Sequence, residues 1–240
     1  MSSIKKNIHI LITRPREVFS YFFPWRKSYS QSWEDMILDF LFRHKRGGFY
    51  VDVWANHPSR LSNTYFFYKS RWWHGINIEP NPALIKNFFL RKRDTNLNIG
   101  IAPQSGEMNF YEIHPDTLST FNKSSAEDYI KQWHPLKKEY MIPVKPLSQV
   151  LSECSIGIDI DFFSVDTEGF DMEVLKSNDW NRFRPKAIVL ETIEYKKDGW
   201  WDKLTSFFET YLKEQKYKIY ADTHINTIFI SEEYAQEISV

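Results

Sequence analysis

Residues 49–58, Phe49-Tyr50-Val51-Asp52-Val53-Trp54-Ala55-Asn56-His57-Pro58, lead with hydrophobic residues into an acid and then into a short turn. Sequence compatible with a helix follows from about Leu61 to Lys69. This is how a first strand delivers its carboxyl end to a nucleotide-like ligand in a doubly wound α/β domain. A second acidic element follows in His74-Gly75-Ile76-Asn77-Ile78-Glu79-Pro80, with Glu79 placed 27 positions after Asp52. An acid at the end of a second strand is positioned to grip the hydroxyls of a ribose. The turn itself departs from the pattern: Trp54 stands where a glycine lets the backbone approach the ligand.

Outward from this stretch, strands and helices alternate. Ser32 is expected to cap a helix running to about Phe42, with Glu34 and Asp35 in its first turn to complement the dipole, and Gly47-Gly48 to stop it. Strands are expected at 49–53, 75–79, 96–101, 107–112, 158–165 and 186–190, with helices at 60–69, 82–91, 171–177 and 200–213. Val144, Leu147, Val150 and Leu151 suggest a strand end and a short helix. Two closing strands, 217–221 and 226–230, are separated only by Asp222-Thr223-His224-Ile225, too little chain for a parallel crossover. One of them must run antiparallel. The expected fold is therefore α/β, a doubly wound, mainly parallel seven-stranded sheet with a C-terminal antiparallel hairpin, the Rossmann-like architecture of class I methyltransferases. Residues 1–30 read as a basic, aromatic N-terminal arm and 31–240 as a single domain. Within it, 113–140 lack clear periodicity and are expected to form an irregular insertion of the kind that serves as a lid or substrate loop.

Lysine plus arginine balance aspartate plus glutamate at 31 each, so no global field draws the chain to nucleic acid. The charge is unevenly spread, however: residues 1–27 hold Lys5, Lys6, Arg14, Arg16, Arg26 and Lys27 against Glu17. A lone cysteine, Cys154, excludes an internal disulfide and fits a reducing compartment. The run Ile8–Ile12 is too short for a transmembrane helix and is followed by Arg14 and Arg16, so a cytoplasmic protein is expected. The 9 Trp, 13 Tyr and 19 Phe cluster at Tyr65-Phe66-Phe67-Tyr68, Trp72-Trp73 and Trp200-Trp201, as core material or as a stacking platform for sugar rings or an apolar partner.

Several blocks, in order, resemble the FkbM family of S-adenosylmethionine-dependent methyltransferases. They are Val51-Asp52-Val53-Trp54-Ala55-Asn56-His57-Pro58 with Ser62-Asn63-Thr64-Tyr65, then Gly75-Ile76-Asn77-Ile78-Glu79-Pro80-Asn81-Pro82, then Asp161-Phe162-Phe163-Ser164-Val165-Asp166-Thr167-Glu168-Gly169-Phe170-Asp171, continued by Glu173 to Trp180. The resemblance spans roughly residues 30–230. It implies a class I fold and transfer of a methyl group from S-adenosylmethionine to a hydroxyl, often on a sugar or polysaccharide precursor. It also implies a cofactor cradle of Asp52, Trp54, Ala55, Asn56, Glu79, Pro80 and Asn81.

Within that cradle Asp52 orients the turn amides or meets the amino group of the cofactor; alternatively it caps the next turn. Two ribose hydroxyls match the two oxygens of Glu79, whose other role is a helix-entry acid before Asn81-Pro82. Asp166 and Glu168 share the turn after the fourth strand of the pattern, where Gly169 permits a tight backbone path. An alcohol holds its proton about as tightly as water, pKa ~15.7. The site must remove that proton as the methyl moves, or bind a metal that acidifies the hydroxyl, and Asp166 and Glu168 suit either task. Paired carboxylates suit Mg²⁺ but need a third ligand. His57 is a second candidate base. Glu191, Glu194, His114 and His134 are weaker candidates, and Ser119-Thr120-Phe121 is expected on the substrate side. No zinc-ligand spacing is present.

Trp54 decides whether this cradle works. A side-chain-bearing residue with positive φ costs about 1–2 kcal/mol, and an indole must find room where the backbone should touch the cofactor. Its ring either fills the pocket, leaving a non-catalytic relative that binds some other ligand or partner, or swings outward. A nicotinamide-dependent oxidoreductase is a further alternative, but its Gly-x-Gly-x-x-Gly fingerprint is absent from the first turn.

Overall fold

The structure is a computed structural model that describes residues 27–154, 159–195 and 201–239. Most of the expected N-terminal arm, the start of the strand expected at 158, and Trp200 with the start of the helix expected there lie outside the described residues. Twelve strands are labelled in chain order: β1 (Phe49–Val53), β2 (His74–Ile78), β3 (Thr95–Leu97), β4 (Gly100–Ile101), β5 (Gly106–Ile113), β6 (Leu136–Lys145), β7 (Phe162–Val165), β8 (Ala187–Glu191), β9 (Ile193–Tyr195), β10 (Trp201–Lys203), β11 (Tyr217–Asp222) and β12 (Asn226–Ser231). The α-helices are α1 (Glu34–Leu41), α2 (Tyr65–Ser70), α3 (Pro82–Ile85), α4 (Lys123–Lys131), α5 (Leu147–Glu153), α6 (Asp171–Lys176), α7 (Thr205–Glu214) and α8 (Glu232–Ile238).

The main sheet has seven strands in the order β11-β12-β8-β7-β1-β2-β3. β12 runs antiparallel to both β8 and β11, while β8, β7, β1, β2 and β3 are mutually parallel. This is the class I methyltransferase fold, as the short link between the last two strands predicts. Its central strands are buried throughout because helices cover both faces. The period of two sorts their side chains. Val51, Phe163 and Ile188 face a core with Leu147, Leu151, Leu175 and Leu212 from α5, α6 and α7. Tyr50, Phe162 and Val189 face another with Leu38 and Leu41 of α1 and Phe66 and Phe67 of α2.

Several local expectations are corrected. Ser32 does not cap α1; Trp33 holds the cap position at φ 71 with no side-chain cap bond. The acids do the fastening instead: Glu34 accepts from Ser32 N and, at 2.8 Å each, from Thr223 Oγ1 and Asn226 Nδ2, while Asp35 holds Ser28, Tyr29 and Ser30. The strand expected at 96–101 is split. Its first half is edge strand β3, and Gly100–Ile101 joins a separate three-stranded sheet, β4-β6-β5. Residues 113–140 are not irregular: they hold a 3₁₀ turn (Asp116–Leu118), α4 and the first half of β6. The helix expected from 200 begins at Thr205, because Trp201–Lys203 pairs with β9.

Candidate active site

Register sets the site. Val53 pairs with Ile78 of β2 and Val165 of β7, and Val165 pairs with Leu190 of β8. The next residue on each strand is therefore level with its neighbours, and those residues are Trp54, Glu79, Asp166 and Glu191. Four strand ends far apart in sequence thus deliver three carboxylates and an indole to one edge, the usual ligand crevice of this fold.

After β1 the chain turns sharply. The amides of Trp54 and Ala55 both donate to the Ile78 carbonyl, at 2.8 and 3.0 Å. Trp54 has φ 71 and Asn56 φ 49, so the turn does adopt the left-handed backbone expected to favour glycine at position 54. The Trp54 ring is 8% exposed and packs against Phe110 at 5.7 Å and Phe121 at 5.3 Å, inside a cluster completed by Ala102, Ile142 and Val144. The indole is thus both a wall of the crevice and a plug in the β4-β6-β5 sheet. Phe121 belongs to that cluster, and the Ser119 and Thr120 hydroxyls are buried, accepting the amides of Ile113 and Asn122.

Glu79 is 1% exposed. Its Oε2 accepts Asn56 N and its Oε1 accepts Asn81 N, both at 2.7 Å. Burial raises its pKa to about 8, opposed by those two amides. Pro80 is buried, and its carbonyl and that of Glu79 are held by Asn98 Nδ2. Asn81 caps α3 through its Oδ1, while its buried Nδ2 lacks a partner. Asp52 accepts Thr64 Oγ1 at 2.7 Å, and burial raises its pKa.

The crevice beside the β1 turn has a volume of ≈ 440 Å³ and is bounded by Asp52, Trp54, Ala55, Asn56, Asp166 and Glu168, with Leu118, Tyr129 and His134 on the far side. A second cavity of ≈ 380 Å³ lies between α4, α6 and α7, bounded by Asp128, Asp171, Met172, Phe207 and Phe208. Tyr129, Gln132, Glu168 and Glu191 border both. The carboxylates of Asp166, Glu168 and Glu191 stand there with one oxygen of each within 4.8 Å of the others. Glu191 was the weaker candidate in sequence; the β7–β8 register makes it the third acid. Burial raises the pKa of all three, Asp166 to about 7 with Asp171 adding to it, and Glu191 to about 10 with Asp166 adding to it. One Asp166 oxygen, Oδ1, is buried without a partner. Asp171, not singled out by sequence, anchors the turn by accepting Thr167 N at 3.0 Å.

His57 directly follows Asn56 in the β1 turn. Its Nδ1 accepts the amides of Ser59 and Arg60 at 3.1 and 3.0 Å, an Asx-like turn contact, and burial lowers its pKa. His114 is exposed, and the side chain of Glu194 lies outside the described residues.

A buried network missed by sequence supports the crevice from behind. Arg91, 0% exposed, donates to Asp94, the Tyr50 hydroxyl, Thr64 Oγ1 and the Pro58 carbonyl. Through Thr64 it reaches Asp52. No sequence signal marks an arginine as buried.

A family model described as methyltransferase FkbM domain matches residues 52–219. Among solved structures, the precorrin-6y C5,15-methyltransferase of Geobacter metallireducens GS-15 is similar at 12% identity and TM-score 0.40, over 82% of this chain and 85% of that one. The METTL16 methyltransferase domain is similar at 9% identity and TM-score 0.45, over 82% and 65%. No curated protein sequence matches this chain.

Proposed function

The chain belongs to the FkbM methyltransferase family, and on that premise we propose that it is an S-adenosylmethionine-dependent O-methyltransferase acting on a hydroxyl of a sugar or polysaccharide precursor. The observation that carries this reading is the shared wall of acids. Glu168 and Glu191 border both the crevice beside the β1 turn and the cavity under α4, so a donor in one and an acceptor in the other would meet at carboxylates.

Part of the cradle faces the crevice: Asp52, Trp54, Ala55 and Asn56 line it, whereas Glu79, Pro80 and Asn81 are buried just behind the β1 turn. A crevice of ≈ 440 Å³ falls in the range of small-molecule sites, and the partnerless Asn81 Nδ2 is a buried donor just past the end of β2 in the chain. Asp52, Ala55 and Asn56 would hold its amino-acid end and Glu79, Pro80 and Asn81 its ribose. When bound, S-adenosylmethionine supplies an electrophilic methyl group on a sulfonium. The chain's own part is to hold the acceptor oxygen in line and to take its proton. Asp166 and Glu168 are the bases of this reading; their raised pKa values make them stronger proton acceptors than ordinary carboxylates. His57 is the lesser candidate, since its Nδ1 is occupied.

One observation favours a second version of the same step. Asp166, Glu168 and Glu191 together form the three-oxygen set that two carboxylates lacked, and a Mg²⁺ ion held there would acidify the hydroxyl directly. The competing view is a non-catalytic methyltransferase fold, in which Trp54, as a wall of the crevice, keeps the cofactor out.

The test is incubation with methyl-labelled S-adenosylmethionine and a panel of neutral glycosides. Label recovered in an alkali-stable ether is the expected product. Cofactor binding without transfer to any hydroxyl would remove the O-methylation reading; absence of both, in this protein and in Trp54→Gly, would remove the enzyme reading.

A further inference from the structure

Residues 59–93 contain seven cations and a single acid, Glu79, which is buried. Two of the cations are spent inside: Arg71 pairs with Asp39 and Arg91 with Asp94. Lys69, Lys86, Lys92 and Arg93 are exposed. Among them stand three large apolar side chains in water: Trp72 (62% exposed), Phe89 (68%) and Leu90 (61%). Their neighbours explain the exposure. Trp73 and Phe88 take the core positions, which turns Trp72, at φ 60, and the end of the 3₁₀ helix Lys86–Leu90 outward.

Arg93, Tyr68, Trp72 and Leu90 meet, with Lys86, Phe89 and Lys92 beside them in sequence. The Arg93 guanidinium lies 3.9 Å from the Tyr68 ring and 5.1 Å from the Trp72 ring, and the Tyr68 hydroxyl donates to the Leu90 carbonyl at 3.1 Å. The patch lies where the chain enters β2 and β3, at the amino ends of strands whose carboxyl ends carry the crevice.

We propose that this face docks on an anionic lipid bilayer. Trp72, Phe89 and Leu90 enter the boundary between headgroups and acyl chains while Lys86, Lys92 and Arg93 meet lipid phosphates, the combination that holds proteins at membrane interfaces. Adjacent phenylalanine and leucine side chains have no counterpart in the phosphate backbone of a nucleic acid, and the balanced overall charge gives no long-range pull toward one. Residues 1–26, outside the described residues, carry Lys5, Lys6, Arg14, Arg16 and Arg26 against Glu17. Docking by this end leaves the crevice open on the opposite side. No helix among the described residues is long and apolar enough to cross a membrane, so the contact is peripheral.

The test is co-sedimentation of the full chain with vesicles of phosphatidylcholine alone and of phosphatidylcholine with phosphatidylglycerol. Binding is expected only to the second, and it should weaken as salt is added. The exposed pairs Lys86→Glu with Lys92→Glu, and Phe89→Ser with Leu90→Ser, should each lower vesicle affinity about tenfold or more at unchanged circular dichroism. Absence of binding to the anionic vesicles overturns the proposal. So does full binding by both variants, which would move the contact to the N-terminal segment. Binding to single-stranded DNA without binding to vesicles overturns it in favour of nucleic acid.

Discussion

The amide of Asn56 donates to Glu79 Oε2 at 2.7 Å, so the acid that ends β2 fastens the turn that follows β1. Glu79 thereby shapes the crevice before any ligand arrives, and its other oxygen fixes Asn81 in the same way. Glu79→Ala would leave both amides unmet and remove the proposed ribose contact. Measured above pH 8, where Glu79 carries its charge, binding of S-adenosylmethionine should weaken by about 1.5–3 kcal/mol, the range for hydrogen bonds to charged groups. Titration calorimetry measures it, in the Trp54→Gly background if the parent does not bind. Unchanged affinity in a folded variant would end the assignment.

The acids of the site predict a pH dependence of stability. Each has a folded pKa above its ordinary value: Glu79 at about 8, Asp166 at about 7 and Glu191 at about 10. Below about pH 4 they are protonated in both states and cost nothing. As pH rises the unfolded chain releases protons that the folded chain retains, so stability falls across the window up to about pH 10. The unfolding midpoint in urea should therefore fall between mildly acidic and alkaline pH, and less so in the double variant Asp166→Asn, Glu191→Gln. If Mg²⁺ occupies the triad it should restore stability at the alkaline end. A midpoint that rises with pH would contradict the protonated folded state.

Asp166→Asn keeps the shape of the proposed base and removes its charge. Cofactor affinity should persist while turnover of an identified acceptor falls ~10²-fold or more. Measuring the parent with Mg²⁺ and with chelator separates the two versions of the step, since only the metal version loses rate on chelation. Parental turnover by Asp166→Asn would move the chemistry elsewhere.

The fold was legible because it is carried by local signals repeated along the chain. Acids at strand ends, strand runs alternating with helical sequence, and a four-residue link between the last two strands fix a mainly parallel sheet. Trp54 was legible as a conflict, and the structure gives it the left-handed backbone that makes it one. What sequence hid was long-range pairing. β5 and β6 join residues about thirty apart, so the first half of β6, up to Tyr140, reads locally as irregular polar sequence although it pairs with β5. Glu191 gained its weight only from the β7–β8 register. Ser32 looked like a cap because residue type is local, whereas Glu34 is tied to Thr223 and Asn226 from the closing hairpin.

Arg91 and Asp94 are a buried ion pair at 2.8 Å, and Asp94 is further held by Tyr50, Gly75 and Asn77. Removing one partner leaves an uncompensated charge, so Arg91→Ala should destabilise the fold by about 3–5 kcal/mol. Arg91→Lys should recover little, because an ammonium cannot span Asp94, Tyr50, Thr64 and the Pro58 carbonyl at once. Urea denaturation of both variants measures this. Full stability in Arg91→Lys would show that the charge alone matters.

Trp54 sets two effects against each other. Glycine at φ 71 would relieve about 1–2 kcal/mol of backbone strain. Losing an indole packed on Phe110 and Phe121 would cost about 3–5 kcal/mol through the cavity it leaves. The second effect wins, so Trp54→Gly should unfold more easily by about 1–4 kcal/mol, taking the difference of those ranges. Binding should move the other way. The ring bounds the crevice beside Asp52 and Asn56, and a packed site has no slack to shift it, so the parent should bind S-adenosylmethionine weakly. Trp54→Gly should strengthen binding at least ~10-fold, or about 1.4 kcal/mol. Opposite signs for stability and affinity, from urea melts and calorimetry on the same two proteins, would identify the indole as a structural plug that narrows the cofactor site. Equal and tight binding by both would place the cofactor clear of the ring and remove the objection to an active enzyme.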